Sequence, residues 1–209
     1  MIGPLGRAEA ILRGRPTPGS WQLVLACGLA YGGVMGAYGW RGGQVVFSAI
    51  KVPLLLLATV GLSLPSYFVL NTLLGLRSDF AAAWRAVLAS QAGLTIILLS
   101  LAPFTAFWYA STADYRSAIL FNALMFAVAS AGAQVLLRRS YRPLIARDPR
   151  HRWLLRTWLI LYAFVGIQMG WNLRPFIGDP DKPVRFFRAG DWENAYVNVA
   201  RIIWEFIAR

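Results

Sequence analysis

Residues 52–76 read VPLLLLATVGLSLPSYFVLNTLLGL, twenty-five positions without an Asp, Glu, Lys or Arg. A helix needs roughly 17–25 apolar residues to cross the hydrocarbon of a bilayer, and this stretch supplies them. Four further charge-free stretches cover 16–40, 86–113, 117–137 and 157–173. A soluble protein would rarely hold so many long neutral runs in succession. Only 14% of the 209 residues are charged and 57% are hydrophobic, whereas a soluble domain carries about 25% charge. The pattern predicts an all-α fold, a polytopic transmembrane bundle of about five spans at 20–40, 53–76, 86–109, 117–137 and 153–173. A polar lead, 1–19, precedes it, and a tail, 174–209, follows.

The net charge of +12 is read as loop charge retained on one side of a membrane, and nucleic acid is not expected as a partner. With five spans, the lead and the second and fourth loops share a side. They hold three, two and seven Lys or Arg residues, against Arg41, Lys51 and Arg116 on the other side. That asymmetry predicts a cytoplasmic N-terminus and an exported C-terminus in a bacterial cytoplasmic membrane. The first apolar run is also longer than the core of a signal peptide, so it is read as a retained span.

Within the chain, Ser20 is expected to cap the first span. Arg41–Lys51 is expected to form a loop, numbered 41–51, and Pro53 to open the second span. A kink is expected at Pro65. Cys27 is read as a small packing residue, and His151, between Arg150 and Arg152, as a solvated loop residue. In the tail, Asp191 is placed to cap an amphipathic helix over about 192–208, with Trp192, Tyr196, Val199, Ile203 and Ile207 on one face. Such a helix would lie on the membrane surface or against a partner subunit.

Gly28, Gly32 and Gly36 form a ladder at four-residue spacing, repeated by Gly166 and Gly170. Glycine at that spacing lets two helix backbones approach closely, so these five are expected to be packing residues. The spans otherwise hold amides, Asn71, Gln91, Asn122, Gln134 and Gln168, and no carboxylate or histidine at depth. That argues against ion-coupled transport. No nucleophile–base set, metal-ligand spacing or phosphate loop occurs, so no catalytic residue, metal or cofactor is expected.

Residues 170–180, GWNLRPFIGDP, place an amide, a guanidinium and a carboxylate at the exported end of the fifth span. Asn172, Arg174, Asp179 and Asp181, together with Trp192 and Tyr196, are the candidate contacts for a partner or for lipid, with Arg174 facing Asp179 or Asp181. The same segment looks like one seen in uncharacterised bacterial membrane proteins.

The run Ala49-Ile50-Lys51-Val52-Pro53-Leu54-Leu55-Leu56-Leu57, followed by Pro65-Ser66, resembles the bacterial branch of the Yip family of small polytopic membrane proteins. The family's five-span layout is similar to the one counted above, whereas the 170–180 segment and the long tail depart from it. The resemblance implies a membrane-organising role and transfers no catalytic residue. The leading expectation is a non-enzymatic accessory or scaffold subunit acting through helix contacts, with the bilayer and other membrane subunits as partners. A small transporter or pore, and an enzyme acting on lipid at the exported end, are the competing classes.

Overall fold

The computed structural model describes residues 3–187 and Val197, and these contain six α-helices and no strand. They are α1 (Pro4–Leu12), α2 (Ser20–Gly36), α3 (Gly42–Leu73), α4 (Phe80–Ser111), α5 (Tyr115–Arg147) and α6 (Arg150–Asn172). Four helical segments, Gly42–Leu73, Arg77–Ser111, Tyr115–Arg147 and Arg150–Asn172, are long and apolar enough to cross a membrane. The chain is therefore an integral membrane protein by length and composition. The remaining apolar run, 16–40, forms α2, which at 17 residues is shorter than these four. The predicted tail helix, with Trp192 and Tyr196, lies outside the described residues apart from Val197.

The helices overrun the predicted spans because the charged residues at their ends continue the helical backbone. α5 runs ten residues beyond Leu137 through Arg138, Arg139 and Arg142 to Arg147, about 15 Å further than the apolar run. α3 begins at Gly42, so Pro53 is interior to it, and the helix is continuous through both Pro53 and Pro65. Residues 42–51 are helical and not a loop. The lead is also partly ordered: α1 buries Ile11 beside Gly93 of α4. Ser20 is the first residue of α2, not its cap; Gly19 precedes it with φ of 78°, and the Ser20 hydroxyl donates to the Thr17 carbonyl (2.7 Å).

α2 packs against α3 and α4, α4 against α5, and α3 against α6. The two ends of the bundle differ. At one, here the basic end, lie α1, the turn after α3 and the turn after α5. At the other, the strap end, lie the turns after α2 and α4 and the segment 173–187. One apolar core unites α2, α3 and α4 toward the strap end, around Tyr31, Val52 and Leu98. A second joins α3, α4, α5 and α6 toward the basic end, around Tyr67, Tyr141 and Trp158.

The α2 ladder explains how its helix fits. A Cβ on Gly32 would stand 2.8 Å from the Ala49 Cα and also strike the Ser48 carbonyl. One on Gly36 would stand 2.6 Å from the Gln44 carbonyl oxygen, and one on Gly28 3.2 Å from the Pro53 Cβ. The ladder thus rides on the backbone of α3, where only glycine admits the approach. Gly166 faces the Thr59 methyl at 3.4 Å, ordinary contact, and nothing lies within 4 Å of a Cβ on Gly170.

Candidate functional site: the strap and its clamp

Beyond α6 the backbone leaves helical geometry and folds back over the first turns of α3. Irregular backbone at membrane depth exposes amide groups that hydrocarbon cannot satisfy, so it survives only where protein supplies donors. α3 supplies them. Gln44 Nε2 donates to the carbonyls of Phe176 (2.9 Å) and Pro175 (3.3 Å). The Ser48 hydroxyl also donates to the Phe176 carbonyl. Lys51 Nζ donates to the Pro175 carbonyl (2.6 Å). From the turn before α3, Arg41 Nη1 reaches the carbonyls of Asp179 (2.8 Å) and Lys182 (2.6 Å). Tyr115 of α5 donates to the Ile177 carbonyl (3.3 Å).

Lys51 is the least expected member. It is fully buried, nine residues inside α3, with its ammonium 4.9 Å from the Phe186 ring centroid and 6.0 Å from that of Phe176. The prediction of a loop lysine is thereby corrected. No carboxylate pairs with Lys51 among the described residues; a carbonyl and two aromatic faces take that place. The sequence shows it only as a charge at the edge of an apolar run. Its acceptor lies 124 positions away, and no local pattern reports that.

The predicted contact residues are brought together only in part. The Gln168 amide donates to Asn172 Oδ1 (3.2 Å) within α6. The Arg174 guanidinium carbon lies 3.2 Å from the Trp171 ring centroid, and its Nε donates to the Trp171 carbonyl (3.1 Å). Asp179 pairs with Lys182 (2.8 Å), and Asp181 supplies an N–H to the Asp179 carboxylate (3.1 Å). Those two contacts, the ammonium first, hold the Asp179 carboxyl below the usual carboxylate range. A carboxyl depressed on folding stabilises the fold above its unfolded value near 3.9, and that contribution is lost as pH falls through the folded value. Asp179→Asn is therefore expected to flatten the dependence of melting temperature on pH below about pH 4, as read by thermal unfolding in detergent.

The amides and phenols of the spans serve other helices. Tyr31 donates to Asn122 Oδ1 (3.3 Å), Asn122 donates to the Tyr109 hydroxyl (2.7 Å), and Tyr109 donates to the Met35 carbonyl (3.0 Å). Tyr162 donates to Gln91 Oε1 (2.7 Å). At the basic end His151 is fully buried in the first turn of α6, with Nε2 3.1 Å from Asp79 Oδ2, while Asp79 Oδ1 takes Arg147 (2.8 Å). The reading of His151 as a solvated loop residue is corrected; its partner is 72 positions upstream. Cys27 is half-buried in α2.

Comparison with protein-family models, with curated proteins and with solved structures finds no match to any of them.

Proposed function

We propose that the chain is a five-span protein of a bacterial cytoplasmic membrane, with its basic end cytoplasmic and its strap end exported. In this reading α2 is the first of the five spans, beside the four longer helices. It acts as a non-enzymatic accessory or scaffold subunit, recognising other membrane proteins through lateral helix contacts. One observation carries this reading: five side chains at the strap end donate to carbonyls of the chain's own backbone. Gln44, Ser48, Lys51, Arg41 and Tyr115 all serve strap carbonyls. What the bundle presents outward is apolar, including Leu120 and Leu124 on α5 and Ile160, Phe164 and Ile167 on α6. A face of that composition meets acyl chains or another apolar helix. The likeness of residues 49–57 to the bacterial Yip branch agrees with a membrane-organising role.

A second reading, a small transporter, is supported by Lys51. An ionisable group buried inside a span marks functional sites in many membrane proteins. The two separate by experiment. Purification in mild detergent is expected to retain a second protein in fixed ratio, whereas solute flux by the isolated chain in liposomes would favour transport. Lipid turnover lost in Arg174→Ala would instead place an enzyme at the strap end.

A further inference from the structure

The lead, the turns after α3 and α5 and the adjoining helix ends bring twelve arginines to the basic end, with three carboxylates, Glu9, Asp79 and Asp148. Each carboxylate already holds a guanidinium: Glu9 pairs with Arg13 (2.7 Å), Asp79 with Arg147 (2.8 Å) and Asp148 with Arg150 (2.7 Å). Arg15, Arg138, Arg139 and Arg142 are exposed, and their side chains have no ion pair or hydrogen bond among the described residues.

Folding brings Arg15 to the other three. α1 ends on Gly14, whose φ of 75° turns the chain out of the helix. The Gly14 N–H donates to the Ile11 carbonyl (2.8 Å) and the Arg15 N–H to the Ala10 carbonyl (2.9 Å), the paired bonds of a glycine-ended helix. The turn then seats on α5. The Ser140 hydroxyl donates to the Gly14 carbonyl (3.1 Å), and a Cβ on Gly14 would stand 3.1 Å from the Arg139 Cβ. Backbone contacts therefore hold Arg15 beside Arg139, with Arg142 about one turn further along α5. Like charges so placed repel, and no carboxylate among the described residues offsets them. An anion from outside would.

The surroundings say which anion. On α5, Leu124, Val128 and Val135 are 55%, 46% and 49% exposed, and Arg138 and Arg142 continue the same face at helical spacing. An apolar stripe thus runs directly into guanidinium groups. On α1, Leu5 and Leu12, two turns apart, are 87% and 40% exposed beside the same corner. A nucleic acid or an acidic protein in water would leave that apolar surface wet. A phospholipid has both parts, a phosphate for the arginines and chains for the stripe.

We propose that the corner between α1 and α5 is a binding site for an anionic phospholipid. Its headgroup lies against Arg15, Arg138, Arg139 and Arg142, and its acyl chains lie along Val135 and Val128. The site belongs to the bundle itself and needs no partner subunit, so it stands or falls apart from the scaffold reading.

The test is native mass spectrometry of the full chain in an uncharged detergent, titrated with phosphatidylglycerol. The chain is expected to bind it about tenfold or more tighter than phosphatidylcholine, which has the same phosphate but no net charge. Each arginine beside an anionic lipid contributes about a fivefold gain in binding. Arg15→Gln combined with Arg139→Gln is therefore expected to weaken phosphatidylglycerol binding about twentyfold. The matched pair Arg77→Gln with Arg152→Gln, exposed arginines in the turn after α3 and on α6, is expected to weaken it by less than about threefold. Equal loss in the two pairs, or equal affinity for the two lipids, would overturn the site. So would displacement of the lipid by excess inorganic phosphate or by a short RNA, which would make the corner a general phosphate or nucleic-acid site.

Discussion

Gly32→Ala is expected to destabilise the bundle by about 3 kcal/mol, the upper part of the range for overpacking a close helix contact. The added methyl meets the Ser48 carbonyl and stands 2.8 Å from the Ala49 Cα. Both are backbone atoms of a helix, so no side-chain rotation relieves the clash. α2 has to move away from α3, and the contacts around Tyr31 and Val24, both fully buried, loosen with it. Gly170→Ala is the matched control. It has the same sequence motif and nothing within 4 Å of the new atom, so its effect is expected within about 0.5 kcal/mol or on the stabilising side through helix propensity. Unfolding of both variants in detergent, monitored by circular dichroism, separates them.

Release of the strap is the second large effect. In Gln44→Leu the Phe176 carbonyl loses its amide donor and the Pro175 carbonyl loses one of its two. A buried carbonyl left short of a donor costs about 1–3 kcal/mol. The loss falls on a segment held mainly by side chains from α3 and the turn before it. Local opening of residues 173–187 is therefore expected to become easier while the helical core stays closed. Amide hydrogen exchange in the strap should accelerate by roughly tenfold or more, as about 1.4 kcal/mol implies, with exchange in α4 unchanged. Lys51→Met is expected to differ. It also removes a strap donor, yet it relieves the cost of burying an ammonium, so its exchange should rise less than that of Gln44→Leu.

Sequence reading reached the helices through their uncharged runs, because hydrocarbon imposes a length and a composition on whatever crosses it. It did not reach their ends. Arg138, Arg139 and Arg142 are good helix formers, so α5 continues past the point where its apolarity stops. The glycine ladder announced close approach but not its partner: Gly32 meets α3, while Gly170 at the same spacing meets nothing. Of the candidate site, Arg174 and Asp179 stood out as polar residues at a helix end. Their companions did not, because Gln44, Ser48 and Lys51 acquire their meaning from carbonyls more than a hundred positions later. His151 and Asp79 are the same case at the opposite end. Polar residues in apolar runs are read from sequence as isolated features, and folding makes them one stripe along α3.

Native mass spectrometry of the tagged full chain, released from its own membrane in mild detergent, tests the scaffold reading most directly. The expected result is a complex in which this 23.2 kDa chain is bound in fixed stoichiometry to another membrane protein. The chain alone or with lipid only, combined with solute flux in liposomes, would contradict it.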